Sequence, residues 1–243
     1  MQFIGEQITS RGVAERPFRV EGAVGDIPGI LWTPEGASGP RPLVLVGHGG
    51  SGDKRMPYVL SLARRLVRHQ GWAVAAIDGV GHGERSGPSV TAGAREEGLP
   101  RSFVEQVAAA ADQMTADWTA TLAELRGLDE VGRGSLGYWG LSMGTMFGLP
   151  FVAATPEVQV AVLGLMGTFA DTNPWGTAAA SVTCPVLFLI QLHDELVPTH
   201  RALSLFESIA STDKRLHAHP GAHSAVPPEE MDASEAFLAL HLR

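Results

Sequence analysis

The run Gly140-Leu141-Ser142-Met143-Gly144 constrains this chain more than any other feature. It has the form G-x-S-x-G and follows an apolar run, Leu136-Gly137-Tyr138-Trp139. A strand that passes at once into a helix must turn sharply, and the serine sits at the apex. A Cβ two residues before or after Ser142 would crowd the neighbouring backbone, which calls for glycine at 140 and 144. The pattern predicts a serine hydroxyl above the carboxyl end of a strand, beside a helix N-terminus. Ordinary turns produce the same letters, because the chain carries 29 glycines in 243 residues. The surrounding sequence therefore has to separate the two.

Apolar strand-like runs alternate with helix-like segments along the chain. That alternation predicts a mainly parallel sheet with helices on both faces. The beginning differs. Phe18–Gly22 and Ile30–Thr33 flank Gly25-Asp26-Ile27-Pro28-Gly29, which reads as an antiparallel hairpin with its turn in that stretch. Buried strands are expected at Leu43–Val46, Trp72–Asp78, Leu136–Trp139, Val158–Leu165 and Pro185–Leu192, with a last short one at Arg215–Ala218. Helices are expected at Pro57–His69, Val104–Arg126, Thr199–Ile209 and Pro228–Leu242. The helix after Ser142 contains Pro150, so a kink or an early end is predicted there. Gly79–Pro100 reads as loop or broken helix.

Hydrophobic residues make up 44% and charged residues 18%, enough apolar content for a sizeable core. The length suits one domain spanning 1–243. A net charge of −8 and a pI near 5.6 argue against nucleic acid as a partner. No stretch approaches the roughly 20 apolar residues of a membrane span. The N-terminus lacks a basic start followed by an apolar run, so a cytoplasmic protein without a secretory signal is expected. One cysteine, Cys184, excludes an intrachain disulfide and reads as a buried, reduced thiol. No Cys/His cluster has zinc spacing, and neither a metal nor a cofactor is expected.

A serine hydroxyl is a weak nucleophile until a base accepts its proton, and the base needs an acid to fix its tautomer. Asp194 lies just past the Pro185–Leu192 strand, where chemistry gathers in open α/β sheets. Glu195 is the rival acid. His223, in Pro220-Gly221-Ala222-His223-Ser224, follows the last strand, and Gly221 lets that loop reach back toward the serine. His217 and His219 are rival bases within or at the end of the strand. Ser142, Asp194 and His223 then stand in the order Ser, Asp, His. Acyl transfer also needs backbone N–H donors for the developing oxyanion. One would be the N–H of Met143. The other should come from Gly47-His48-Gly49-Gly50-Ser51-Gly52, the loop after Leu43–Val46. That loop also matches G-x-G-x-x-G, the dinucleotide-binding pattern, but an oxidoreductase would have no use for the other three groups.

With these parts in view, the chain resembles the α/β-hydrolase fold superfamily from about Phe18 onward. Within it, the chain looks most like the dienelactone-hydrolase-like and small carboxylesterase branch. The resemblance rests on His48-Gly49-Gly50, Gly140-Leu141-Ser142-Met143-Gly144, Asp194-Glu195-Leu196-Val197-Pro198 and His223. It implies a doubly wound, mostly parallel sheet of about eight strands and no large lid. It implies Ser142 as nucleophile, His223 as base, Asp194 as orienting acid, and the amides of Gly50 and Met143 as the oxyanion hole. His48 would position its loop without reacting. Asp78–Ser86 looks like a mostly structural segment of the family. Dienelactone hydrolases proper carry cysteine where this chain has Ser142, so general ester hydrolysis is the inference.

Short cap-like segments are expected near 79–103 and 166–184. His48, Gly49, Phe169 and Trp175 are expected to line the substrate, a small soluble ester. Thioesterase, lactonase, amidase or cofactor-free haloperoxidase-like activity would use the same triad, and a non-catalytic binding protein on this fold is the rival of another class. A monomer or weak homodimer is expected.

Overall fold

The computed structural model describes residues 1–86, 98–169 and 174–242. Two short strands, β1 (Gln2–Phe3) and β2 (Ile8–Ser10), come first. A long hairpin follows, β3 (Val13–Gly22) and β4 (Gly25–Pro34). The chain then alternates: β5 (Leu43–Gly47), α1 (Pro57–Gln70), β6 (Ala73–Ile77), α2 (Arg101–Arg126), β7 (Leu136–Gly140) and α3 (Met143–Ala154). The last part contains β8 (Val158–Gly164), α4 (Pro174–Ala179), β9 (Val186–Gln191), α5 (Thr199–Ser208), β10 (Lys214–His219) and α6 (Glu229–His241). Among the described residues no helix is long and apolar enough to cross a membrane.

All ten strands join one sheet in the order β1-β3-β4-β6-β5-β7-β8-β9-β10, with β2 paired to β3. From β6 to β10 the neighbours are parallel, and β4 joins antiparallel to β6. Strands β5, β6, β7 and β9 are buried along their whole length, which explains why they read as unbroken apolar runs. Helices α1 and α6 cover one face, where Val59, Leu62, Leu66, Phe237 and Leu238 pack. Helices α2, α3, α4 and α5 cover the other, around Trp118, Phe151 and Trp175. Burial of each large side chain of this kind contributes about 2 kcal/mol.

Strand β5 lies between β6 and β7, so the chain leaves it on one side for β6 and later returns on the other for β7. That reversal opens a crevice at the carboxyl ends of β5 and β7. It brings the loop after Gly47 beside the turn after Gly140, two residues paired across the strands.

The fold differs from the expected one in three places. Among the described residues the sheet has ten strands against about eight expected; the additions are β1 and β2, fully exposed and too short for a periodic signal. The hairpin turns earlier than predicted, because Gly22 pairs with Gly25 and leaves Ala23-Val24 as the turn. Gly29 is inside β4, where the Phe18 ring occupies the place of a side chain: a Cβ there would lie 2.2 Å from Phe18 Cζ. The glycine marks a close approach, not a turn. Finally, α3 runs through Pro150 to Ala154. Proline has no N–H for the carbonyl four residues back, that of Met146. The indole Nε1–H of Trp175 donates to that carbonyl at 2.7 Å and replaces the missing bond.

Candidate active site

The elbow is fixed by contacts that its letters only hint at. Ser142 has φ 57° and ψ −121°, a conformation that L-residues rarely adopt. Its N–H donates to the Gly164 carbonyl at 2.9 Å, and its own carbonyl accepts from Thr145 and Met146 at 2.8 and 3.0 Å. A Cβ on Gly140 would lie 2.7 Å from the Gly144 carbonyl oxygen, and one on Gly144 would lie 2.5 Å from that of Gly47. The Thr145 hydroxyl lies 2.8 Å from the Gly140 carbonyl and 2.7 Å from that of Gly164, and accepts the Gly164 N–H at 2.8 Å. It ties together the ends of β7 and β8 and the start of α3. The Tyr138 hydroxyl donates to the Gly144 carbonyl at 2.7 Å. Burial raises that phenol well above its ordinary pKa, so it remains a donor.

Ser142, His223 and Asp194 come together from three strand ends. Ser142 Oγ lies 2.9 Å from His223 Nε2. His223 Nδ1 lies 2.7 Å from Asp194 Oδ2. The other Asp194 oxygen accepts the amides of Leu196 and Val197, both at 2.8 Å, so the loop's own backbone orients the carboxylate. Glu195 does not compete for the imidazole. Its carboxylate accepts the backbone N–H of His223 at 2.9 Å, and that bond is the main reason its pKa falls below the usual range. Asp194 and Glu195 thus hold the side chain and the backbone of one histidine. His217 and His219, the rival bases, instead meet Glu230.

Gly50 and Met143 lie close together across the crevice: a Cβ at Gly50 would stand 3.8 Å from that of Met143. Neither N–H has a hydrogen-bond partner among the described residues. Phe103, at the start of α2, lies over Gly50, whose Cβ would be 2.8 Å from its ring. The His82 ring reaches the Gly50 carbonyl at 3.2 Å.

Two residues expected along the substrate are placed elsewhere. His48 is buried, with Nδ1 2.8 Å from the Gly49 carbonyl and Nε2 accepting the Gly79 N–H at 2.9 Å. Both nitrogens are committed to backbone, so the ring joins the loops after β5 and β6 and has none left for a ligand. Burial lowers its pKa and keeps it neutral. Trp175 is wholly enclosed, packed edge-on to Phe169 and bonded to Met146 as described above. Phe169 itself is half-buried, with the Arg201 guanidinium over its ring at 5.3 Å. The Gly49 N–H donates to the Tyr58 hydroxyl at 2.6 Å. Of the two expected cap segments, residues 87–97 and 170–173 lie outside the described residues. Cys184 is half-buried, and burial pushes its thiol up to about 11, away from thiolate chemistry.

A sheet of this topology, with a serine on a strained turn and a histidine and a carboxylate on later strand ends, defines an α/β-hydrolase fold. The profile of the dienelactone hydrolase family matches residues 27–237, and the chain belongs to that family. A solved structure of a cold-adapted esterase from an Arctic intertidal metagenomic library is 37% identical, with both chains covered in full and a TM-score of 0.86. An acetyl xylan esterase from Paenibacillus sp. R4 shares the fold at 18% identity and TM-score 0.76, over 99% of this chain and 88% of that one. An esterase from Pyrococcus furiosus does so at 16% and 0.70, over 93% and 92%. A search of curated proteins finds no match.

Proposed function

We propose that the protein is a serine esterase acting on small, soluble carboxylic esters, with Ser142, His223 and Asp194 as its triad. The observation that carries this is the unbroken chain of bonds from Ser142 Oγ to His223 Nε2, 2.9 Å, and from His223 Nδ1 to Asp194 Oδ2, 2.7 Å. Asp194 holds the tautomer in which Nε2 faces the serine unprotonated. In the proposed cycle, Ser142 Oγ attacks the ester carbonyl while His223 Nε2 takes its proton. The free amides of Gly50 and Met143 receive the oxyanion. The imidazolium, stabilised by Asp194, then protonates the leaving alcohol. Water enters, gives a proton to His223 and attacks the acyl carbon, and Ser142 is released with its proton restored.

Three features support an ester substrate of modest size. The nucleophile is serine where dienelactone hydrolases proper have cysteine. Among its described residues the connection from β8 to β9 contains one six-residue helix, α4, and no inserted domain. The relative at 37% identity is itself an esterase. On this reading the protein is a cytoplasmic monomer or weak dimer that needs no membrane or cofactor, and its net charge of −8 argues against nucleic acid as a partner.

The test is hydrolysis of p-nitrophenyl esters from acetate to palmitate by wild type and Ser142→Ala, with fluorophosphonate labelling alongside. Activity should peak at short chains, and the variant should lose at least about 10³-fold in kcat and all labelling. Full activity in Ser142→Ala would overturn the assignment. Wild-type protein that neither hydrolyses nor labels would favour a binding protein on this fold.

A further inference from the structure

Outside the triad, two histidines and a glutamate converge. His217 and His219 stand two residues apart on β10, so their side chains leave the same face. Glu230, in the first turn of α6, comes up against both. Its Oε1 lies 2.8 Å from His217 Nδ1 and 2.6 Å from His219 Nε2. The ligand atoms of the three all lie within 4.8 Å of one another. Glu230 is buried, its side chain 4% exposed, whereas the two imidazoles are 38% and 24% exposed and open to an ion from solvent.

Hydrogen bonding alone leaves this cluster incomplete. A carboxylate meeting two imidazole N–H groups has an oxygen for each. Here both donors crowd onto Oε1, while Oε2 is buried without a partner. An unpartnered buried carboxylate oxygen is costly, and native structures keep few of them. A cation between the three side chains would take the place of the two protons now donated to Oε1, each imidazole carrying its proton on the other nitrogen, and its charge would offset the burial of the carboxylate, Oε2 included.

We propose that His217, His219 and Glu230 form a zinc site. Two imidazole nitrogens and one carboxylate oxygen are a donor set of intermediate softness that suits Zn²⁺, with water as a fourth ligand. Calcium and magnesium ask for six or more oxygens and are poorly served. Tetrahedral ligands about 2.0–2.1 Å from zinc stand about 3.3 Å apart. Each imidazole nitrogen therefore has to move away from Glu230 Oε1, from 2.8 and 2.6 Å, by less than about 1 Å, and the two nitrogens, within 4.8 Å of one another, settle to the same spacing. The site is not visible as a spacing of Cys and His, because its third ligand sits on another element.

The position gives the ion a task. The His219 carbonyl accepts the amides of Leu192, at 2.7 Å, and Gly221, at 3.0 Å. His223 is four residues further along, in the loop between β10 and α6. Zinc held from both sides of that loop would pin the two ends of the segment that carries the base. It is a structural clamp, and the proposed triad chemistry proceeds without it.

The experiment is a zinc titration of the full chain, freed of metal with EDTA, against a chromophoric chelator. Wild type, His219→Ala, Glu230→Gln and His223→Ala are compared, with circular dichroism to show that each is folded. Wild type and His223→Ala should bind one zinc per chain with micromolar affinity or better, and zinc should raise their thermal midpoints. His219→Ala and Glu230→Gln should bind at least about tenfold more weakly. Glu230→Gln keeps the shape of the side chain and decides the matter if His219→Ala fails to fold. Absence of zinc binding in wild type would overturn the proposal. So would affinity unchanged by Glu230→Gln, or binding lost only in His223→Ala, which would place the ion at the triad.

Discussion

Asp78 and Asp194 occupy equivalent places, each just past the carboxyl end of a parallel strand, β6 and β9. Both carboxylates are enclosed, with side chains 0% and 2% exposed. Both accept two backbone amides: Asp78 those of Lys54 and Glu84, Asp194 those of Leu196 and Val197. They differ in the third partner. Asp78 meets Lys54 Nζ at 2.6 Å, a buried cation that also reaches Glu84 at 2.7 Å. Every charge in that cluster is paired, Lys54 with Asp78 and Glu84, and Glu84 in turn with Arg19 at 2.9 Å. Asp194 meets an imidazole, whose second nitrogen lies 2.9 Å from a serine hydroxyl. A strand end makes a buried carboxylate, and the partner decides whether the result is a brace or, on the proposed reading, the orienting acid of a base.

The comparison can be broken from either side. The largest effect is expected from Asp194→Asn. The amide keeps an oxygen for Leu196 and Val197 but presents an N–H to His223, which selects the wrong tautomer. Esterase kcat should fall by about 10³–10⁴, with the unfolding free energy nearly unchanged. Loss of fold in place of loss of rate would mean that Asp194 is a brace as well.

Asp78→Asn should do the reverse. It leaves Lys54 buried beside a neutral amide, at a cost of about 3 kcal/mol in denaturant unfolding. The folded fraction should keep most of its kcat, since no atom of the cluster touches Ser142 or His223. A kcat loss as deep as that of Asp194→Asn, in protein shown to be folded, would erase the distinction.

The smallest effect extends the contrast to a buried histidine. His48 has both nitrogens on backbone, and burial holds its folded pKa below its ordinary value of 6.5. The unfolded chain therefore binds a proton that the folded chain refuses. The stability due to neutral His48 is present in full above about pH 6.5 and is lost as pH falls toward the folded pKa. The thermal midpoint of wild type should drop between pH 7 and pH 5, and that of His48→Asn should drop less. Parallel curves would show that His48 titrates freely.

Much of this was legible in the sequence. Helix α1 begins at Pro57 as its apolar spacing required, and the buried strands β5, β6, β7, β8 and β9 fall within a residue or two of their apolar runs. Strands buried on both faces leave that trace because solvent touches neither side. The residue types at the strand ends, with their order, were enough to nominate Ser142, Asp194 and His223. The turn at Gly25–Gly29 was misplaced because a glycine that receives a neighbour's ring looks, in sequence, like one that bends the chain. Of the kink or early end expected at Pro150, the end does not occur, because a compensating indole comes from Trp175, far along the chain. Glu195 could be named as a rival acid, but its bond to the backbone of His223 left no sequence signal.

The sequence by itself determined the buried strands and most of the helices, where the sharp serine turn falls, and which side chains have the chemistry to share a proton. Periodicity and glycine placement are local properties, written in adjacent letters. Only the tertiary structure decided which of them meet. It set His48 on Gly79, Trp175 on Met146, Lys54 on Asp78, and His217 with His219 on Glu230. Each of these contacts depends on where the sheet order and the helix packing bring distant segments together. A hydrogen bond is satisfied within about 3 Å, whatever the separation along the chain.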